Sequence, residues 1–309
     1  MILERTQLAC KIEATEGTAE TPAGVDCILA INPVFKPTIA MKTRENVAAS
    51  FSPWSQVPAA RQAVIDFDIE LKGSGTLGTA PALGKLLKCC GLGETINAGV
   101  SVIYAPASTG ISSMTFSLYN DGVLYKMWGA RGNVSLKAVK GEFGLFHFTF
   151  TGADFSVTDV TMLSSGIAYE TTKPQPFQGA GSFTIDSYAA LISSFEFNMN
   201  NVVTLRPDIT QSSGNKSAVI TNRNPSLIID PEGITVATYD FFGKWRSGNE
   251  GALAGAAFGA TAGNICTITA PKVQYTVGSL ADRGGVRSFG ITCQLNRSAG
   301  DDEISIAFT

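Results

Sequence analysis

The feature that most constrains the fold is a strict alternation of apolar and polar residues in several short segments. In residues 64–71, apolar side chains occupy every second position and carboxylates lie between most of them. A period of two is typical of a β-strand with one buried and one solvent-facing side. Residues 145–150 alternate in the same way, with three phenylalanines around His147 and Thr149. The sequence therefore predicts a mainly β protein.

A tight hairpin is predicted between residues 114 and 127. Two alternating runs there are separated by Asn120-Asp121-Gly122. An Asp-Gly pair readily adopts the positive φ angles that a two-residue hairpin turn requires. We expect the two runs to pair as antiparallel strands.

Helical patterns are few and short. Residues 81–90 place Leu83, Leu86 and Leu87 at helical spacing, with Pro81 at the start and Gly91 just past the end. Proline and glycine in those positions are the usual signals for a helix start and stop. Residues 239–246 show a similar pattern. We expect one short helix in each half of the chain.

The elements recur in the same order in both halves. Each predicted helix follows a long polar segment, residues 36–61 in the first half and 200–223 in the second. Each half also finishes on an alternating strand, at residues 145–150 and 304–308. The offset is close to 160 residues, far longer than a solenoid repeat, so it suggests duplication of a whole domain.

A chain of 309 residues is long enough for two such domains. We expect two tandem β-sandwich or barrel domains, each with a short covering helix and a long loop. The expected boundaries are residues 1–168 for the first copy, 169–181 for a linker and 182–309 for the second copy.

Charge and composition exclude several classes of protein. With 23 Lys and Arg against 26 Asp and Glu, the chain has no positive excess to attract phosphates, so tight nucleic-acid binding is disfavoured. A hydrophobic share of 44% excludes an extended disordered chain. Charged residues near the amino terminus and the lack of long apolar runs predict a soluble protein made in the cytoplasm, without membrane insertion. The six scattered cysteines predict reduced, buried thiols.

Candidate chemistry is sparse. Residues 73–78 match G-x-G-x-x-G, but Thr79 and Ala80 delay the following helix, and the preceding strand alternates with charges. A dinucleotide-binding turn opens directly into its helix and follows a strand that is apolar on both faces. The one histidine, His147, has no motif around it, and the carboxylates of residues 66–70 share one strand face. We expect no catalytic residue, cofactor or metal.

The order of several motifs resembles the major tail tube proteins of long-tailed, siphovirus-type bacteriophages. In that family E-x-x-x-G-T-x-x-T-P precedes the first strand, and residues 13–22 are similar to it. The likeness continues through a glycine loop and helix, the central hairpin and, more loosely, the second half. The segments that carry it are residues 71–76, 80–91, 110–132, 148–152, 220–225, 262–265 and 270–272.

This resemblance implies a non-enzymatic virion protein with tail-tube-type domains whose sheets join those of neighbours into the wall of a hollow tube. The implied partners are further copies of the chain, a tape-measure protein in the lumen, and the tail terminator and tail tip proteins. Double-stranded DNA would pass through transiently without specific binding. Two domains per chain predict trimeric, pseudo-hexameric rings, which stack because head-to-tail contacts stay open along the axis.

The two polar segments supply candidates for contacts between rings. Both are longer than connections usually are in compact domains, and exposed aromatics beside charges are typical of protein contacts. The candidates are Lys42, Arg44, Glu45, Phe51, Trp54, Arg206, Asp208 and Lys216. Two other functions remain open from the sequence: another virion protein, such as a decoration or spike protein, and a dinucleotide-binding enzyme that uses residues 73–78.

Overall fold

A computed structural model describes residues 5–178 and 183–309 of the chain. Residues 179–181 of the predicted linker and residue 182 of the predicted second domain lie outside these ranges. The described part is mainly β, as predicted, and contains antiparallel strands and two short helices. No closed barrel forms within the described residues.

The strands of the first half are numbered in chain order. They are β1 (Thr6–Ile12), β2 (Cys27–Ile28), β3 (Ile31–Lys42), β4 (Val57–Glu70), β5 (Leu92–Asn97), β6 (Ser101–Pro106), β7 (Met114–Asn120), β8 (Val123–Val139), β9 (Leu145–Gly152) and β10 (Asp154–Asp159).

The strands of the second half continue the numbering. They are β11 (Thr184–Ile185), β12 (Tyr188–Ala189), β13 (Ser194–Asn198), β14 (Val202–Pro207), β15 (Asn215–Asn222), β16 (Ser226–Ile229), β17 (Glu250–Phe258), β18 (Cys266–Arg283), β19 (Val286–Asn296) and β20 (Ser305–Phe308).

Both predicted helices are confirmed, with shorter bounds. They are α1 (Gly84–Cys89) and α2 (Phe241–Ser247). Gly91 follows α1 with a φ of 81°, and Gly248 ends α2 with a φ of 68°, a conformation that glycine adopts without strain. At the start of α2, the Asp240 carboxylate accepts a hydrogen bond from the amide of Gly243 at 2.7 Å.

The predicted central hairpin is confirmed in β7 and β8. Asp121 and Gly122 both have positive φ, at 42° and 103°, as a two-residue turn between right-twisted strands requires. Because β7 and β8 then pair from Asn120–Val123 onward, alternate residues face opposite sides: Phe116 and Met127 join the main core, and Tyr119 and Leu124 join a smaller buried cluster.

Phenylalanines form the centre of that core. Phe67 of β4 and Phe148 and Phe150 of β9 are fully buried, and the ring centroids of Phe67 and Phe148 are 5.7 Å apart. These side chains come from the alternating segments predicted as strands. Their burial fixes which face of the sheet is internal, since a one-residue slip would expose all of them.

Eight strands from both halves form one continuous antiparallel sheet. Their order is β3-β4-β9-β8-β13-β16-β19-β18. The two halves meet at the pairing of β8 with β13, in which Ser135 lies opposite Asn198 and Val139 opposite Ser194. We call this pairing the internal seam.

Strand pairing repeats between the halves. The first half pairs in the order β2-β1-β7-β8-β9-β4-β3, with β10 also on β8. The second half pairs in the order β12-β11-β17-β18-β19-β16-β13, with β20 also on β18. In this order β3 corresponds to β13 and β8 corresponds to β18.

The repeated order corrects one expectation from the sequence. Residues 145–150 and 304–308 were expected to be equivalent, but β9 corresponds to β19, and β20 corresponds to β10. The hairpin β5-β6 has no counterpart among the described residues of the second half, and β6 pairs with β20. The hairpin lies between α1 and β7, whereas α2 is followed directly by β17. Equivalent strands after the helices are therefore fewer positions apart in the sequence than equivalent strands before them, which hides their correspondence.

Candidate ring-forming surfaces

One face of the eight-stranded sheet is polar and faces solvent. The core side of β4, β9 and β8 is buried, whereas the alternate positions are only partly buried or exposed. Between β3 and β13 the charged side chains at least partly exposed on this face are Lys36, Asp66, Asp68, Glu70, Lys137 and Glu196, and His147 lies among them.

The charges on this face are of both signs, and its carboxylates outnumber its lysines. Lys36 Nζ lies 2.7 Å from a carboxylate oxygen of Asp66, and His147 Nδ1 lies 2.6 Å from Asp68 Oδ1. A lysine with a carboxylate partner, such as Lys36, is less available to phosphate groups, and the acidic excess repels them. The face is therefore not a basic track of the kind that binds nucleic acid tightly.

The sheet has two free edges within the described ranges. β3 pairs on one side only, with β4, and residues 276–283 of β18 pair on one side only, with β19. Apolar side chains lie exposed along both edges: Val34 is 46% exposed and Leu280 is 64% exposed. An apolar edge with unpaired backbone groups is a ready site for pairing with another chain.

Two hairpin arms extend from this sheet, and they contain the predicted contact residues. The first arm is residues 38–62, which include the outer parts of β3 and β4 and the loop 43–56. The second arm is residues 202–222, which include β14 and β15. In the first arm Lys42 pairs with Val57, and in the second Arg206 pairs with Ser217.

Those two pairs occupy the same register position. Lys42 and Arg206 are 164 positions apart, and Val57 and Ser217 are 160 positions apart. The same two offsets hold nearer the sheet, where Val34 pairs with Asp66 and Asn198 pairs with Ser226. Val34 and Asn198 are again 164 positions apart, and Asp66 and Ser226 are again 160 positions apart. The polar segments predicted as loops therefore contain paired strands, which flank the loop 43–56 in the first arm and a short turn in the second, and the two arms are equivalent in register.

The second arm docks on the first half of its own chain through Glu16. Ser217 Oγ donates to Glu16 Oε1 at 2.7 Å, and Arg206 Nη1 lies 3.5 Å from Glu16 Oε2. From β8, Arg131 Nη1 lies 2.6 Å from Glu16 Oε1 and donates to the carbonyl of Ala218. Arg131 is only 8% exposed, whereas the side chains of Glu16 and Arg206 are 32% and 46% exposed, so one carboxylate joins a buried cation to an exposed one.

Two opposing influences set the pKa of Glu16. Partial burial raises the pKa, whereas the hydrogen bonds from Arg131 and Ser217 lower it and prevail, so the pKa lies below its ordinary value. Docking lowers the pKa of this carboxyl group, so its ionised form stabilises the docked arm at pH values above the ordinary pKa of glutamate. That stabilisation is lost as the pH falls through the lowered pKa.

The second arm fits closely against two glycines. A side chain at Gly17 would place its Cβ 2.3 Å from the carbonyl oxygen of Lys216, and Gly17 has a φ of 78°. At Gly129 the same oxygen would lie 3.3 Å from a Cβ. Only glycine permits this approach at Gly17, so the docked position of the arm is specified by backbone shape as well as by charge.

The first arm is held only at its base, where Arg61 pairs with Asp154 and its amide donates to the carbonyl of Ser213 in the second arm. Every residue from 38 to 58 is exposed, and Phe51 is 109% exposed. Within the loop, the guanidinium of Arg44 lies 5.5 Å from the ring centroid of Trp54. Lys42 and Glu45 are exposed beside it. Five of the predicted contact residues thus lie together on one exposed surface.

The three remaining predicted residues lie on the second arm. Arg206 contacts Glu16, and Asp208 closes the turn by accepting from Thr210 Oγ1 at 2.7 Å. Lys216 is exposed beside the glycine contact described above. Sequence reasoning missed Glu16, Arg131 and Ser217, since no local pattern connects residues so far apart in the chain.

The glycine motif at residues 73–78 forms a loop whose amides are already used. The amide of Gly73 donates to Asn264 Oδ1 at 2.7 Å, and that of Gly75 donates to the carbonyl of Gly263 at 2.9 Å. A phosphate-binding turn needs such amides free. The arrangement ties the two halves together and does not form a dinucleotide site.

Other reactive groups are buried or isolated. All six cysteines are free and buried, and desolvation raises the pKa of the Cys10 thiol to about 11, which disfavours the reactive thiolate. In the described ranges no cluster of three or more His, Cys, Asp or Glu residues is arranged to hold a metal ion. None of the helices in those ranges is long and apolar enough to cross a membrane.

The comparisons with known proteins agree with the resemblance of the motifs. A family model described as phage tail tube protein matches residues 4–292. The chain therefore belongs to the phage tail tube protein family, and its role is that of a structural component of the phage tail. No curated protein matches the sequence.

Replacing Glu16 with glutamine should release the second arm without unfolding the sheet. The amide loses the ion pairs to Arg131 and Arg206, and hydrogen bonds to charged groups contribute about 1.5–3 kcal/mol each. We expect faster hydrogen–deuterium exchange in residues 202–222 and unchanged exchange in β9. Lowering the pH through the lowered pKa of Glu16 should have the same effect on the parent chain. Unchanged exchange in the arm of the variant would contradict the docking role of Glu16.

Proposed function

We propose that this chain assembles with copies of itself into closed rings, and that the rings stack into the hollow tube of the phage tail. Membership of the tail tube family supports the structural role. The observation that carries the proposal is the eight-stranded sheet that has a polar face and ends on two free, partly apolar edges. Such a sheet can close only by pairing with other copies.

The internal seam supplies the template for ring closure. Within one chain, β8 pairs with β13; their equivalents in the repeated order, β18 and β3, are the free edges. We infer that residues 276–283 of one chain pair with β3 of the next. One chain then provides two successive ring positions, in line with tandem domains at residues 1–168 and 182–309.

Three chains per ring follow from this duplication. A ring of six equivalent domains closes with three two-domain chains, and head-to-tail contacts of this kind close a ring in one direction. The polar face of the sheet would line the lumen. Its mixed charges, with an excess of carboxylates, suit a conduit for DNA, because DNA would then slide without forming many salt-sensitive phosphate contacts.

The loop of the first arm is placed to contact the neighbouring ring. Residues 43–56 are exposed throughout and combine Arg44, Glu45, Phe51 and Trp54. The turn of the second arm, which holds Asp208, lies at the equivalent position. Aromatic and arginine side chains are enriched at protein contacts. Tape-measure, terminator and tip proteins would bind the lumen and the two ends of the tube.

A charge placed on the free edge of β18 should block assembly. The purified parent chain is expected to form long tubes in negative-stain micrographs. In Leu280→Lys, the new ammonium group would have to lose water in the contact between chains, which disfavours pairing. We expect a folded chain that stays in small species by sedimentation velocity.

Val236→Lys is the matched control, because Val236 is 69% exposed but lies outside both edges. It should assemble as the parent does. A parent chain that forms only monomers or compact particles would instead indicate a decoration or spike protein and would contradict the proposed tube. Normal tubes of Leu280→Lys would exclude the β18 edge from ring closure.

Replacing residues 43–56 with a short Gly/Ser linker should separate stacking from folding. The loop contributes little to the buried core, so circular dichroism should match that of the parent. Long tubes should be absent, with rings or short stacks in their place. A Gly/Ser replacement of residues 98–100, in the β5-β6 turn, is the control. It shows whether replacing a surface loop by itself affects assembly, and we expect this variant to form long tubes. If the loop variant forms long tubes as readily as the parent, the loop is not the joint between rings.

A further inference from the structure

The two arms have equivalent registers but opposite environments. In the second arm Ser217 and Ala218 are fully buried against the first half. Their equivalents in the first arm, Val57 and Pro58, are exposed. The second arm docks within the chain because the first half lies beside it at the internal seam. In the first arm only the base, at Arg61, contacts the second half, whereas residues 38–58 have no surface beside them in the isolated chain.

The surface that receives the second arm has a counterpart in the second half. Arg131 is the first β8 residue paired with β9, opposite Thr151, and Lys272 is the first β18 residue paired with β19, opposite Asn296. The preceding pairs, Trp128 with Asp154 and Thr269 with Ser305, correspond in the same way. Lys272 therefore occupies in the second half the position that Arg131 occupies in the first.

A carboxylate stands beside each of these cations. Glu16 lies beside Arg131, and Glu250 Oε2 lies 3.2 Å from Lys272 Nζ. Asn296 Nδ2 donates to the other oxygen of Glu250 at 2.7 Å. These contacts hold Glu250 as an anion in a fixed position, with 32% of its side chain exposed. Glu16 has a second cation, Arg206 of the docked arm, whereas the described residues show no second cation on Glu250.

Lys42 completes this arrangement. It is the register equivalent of Arg206, carries the same charge and is exposed. We propose that the first arm docks on the second half of the neighbouring copy in the same ring, where Lys42 binds the partner subunit's Glu250 beside Lys272. This inference rests on the proposed ring, and it assigns Lys42 to a contact within the ring instead of between rings.

Charge and shape both support a second copy as the occupant of this surface. The contact continues the proposed β18–β3 pairing, since Lys42 lies at the far end of the strand that forms that edge. Ile39 and Met41, exposed at 47% and 50%, lie on the same segment and would be covered. Docking would therefore bury the exposed apolar residues of the arm while pairing its lysine.

Carbodiimide coupling of assembled tubes tests the contact directly. The reagent activates a carboxylate and joins it to an adjacent amine as an amide, with release of the urea, so it adds no spacer. We expect mass spectrometry to identify an amide between Lys42 and Glu250. Because a ring closes on itself, denaturing gels should show covalent species that stop at three chains. Lys42→Arg is the matched control: it keeps the charge and the tubes but cannot form the amide.

Charge reversal gives a second readout. Lys42→Glu and Glu250→Lys should each raise the protein concentration needed for assembly by about tenfold or more, because like charges then face each other. The double variant restores opposite charges and should return to within about threefold of the parent. Circular dichroism of each variant checks that the chain is folded.

The outcomes separate this inference from the proposed tube. Tubes that give the Lys42–Glu250 amide only in species of up to three chains support the inference. Tubes that give a ladder beyond three chains would place the contact between rings, and tubes without this amide would exclude it. Either result overturns the inference while leaving the tube intact. A parent chain that forms no tubes would instead refute the proposed function.

Discussion

The internal seam is the interaction on which the rest of the structure depends. Backbone pairing of β8 with β13 joins the strands of both halves into one sheet and brings the second arm against Glu16 and Arg131. It also leaves β3 and the end of β18 as the edges of that sheet. Because strand edges are either covered or paired in stable assemblies, this one contact predicts how further copies attach.

The sequence predicted the local structure where physical periodicity is strong. Alternation around Phe67 and Phe148, the Asp121-Gly122 turn and the punctuation of α1 all describe short-range constraints, and each is confirmed. The motif order also identified the family. These signals work because a period of two or a glycine with positive φ leaves few alternatives.

Long-range relations were predicted less well. The carboxyl-terminal strands of the halves were matched by their apolar pattern, but β20 corresponds to β10, because the β5-β6 hairpin changes the spacing. The docking of Arg206 on Glu16 leaves no local trace, since the two residues meet only after the seam has formed. Pattern reasoning also treated the second arm as a loop, because its buried residues are few and small: Ser213, Ser217 and Ala218.

The central claim is that the seam within the chain recurs between chains. A cryo-electron microscopy map of the assembled tube, at a resolution that traces side chains, tests it most directly. The account predicts three chains per ring, with residues 276–283 of each chain paired antiparallel with β3 of the next and the polar face towards the lumen. Six chains per ring, or a lumen wall in which these two edges face solvent, would contradict it.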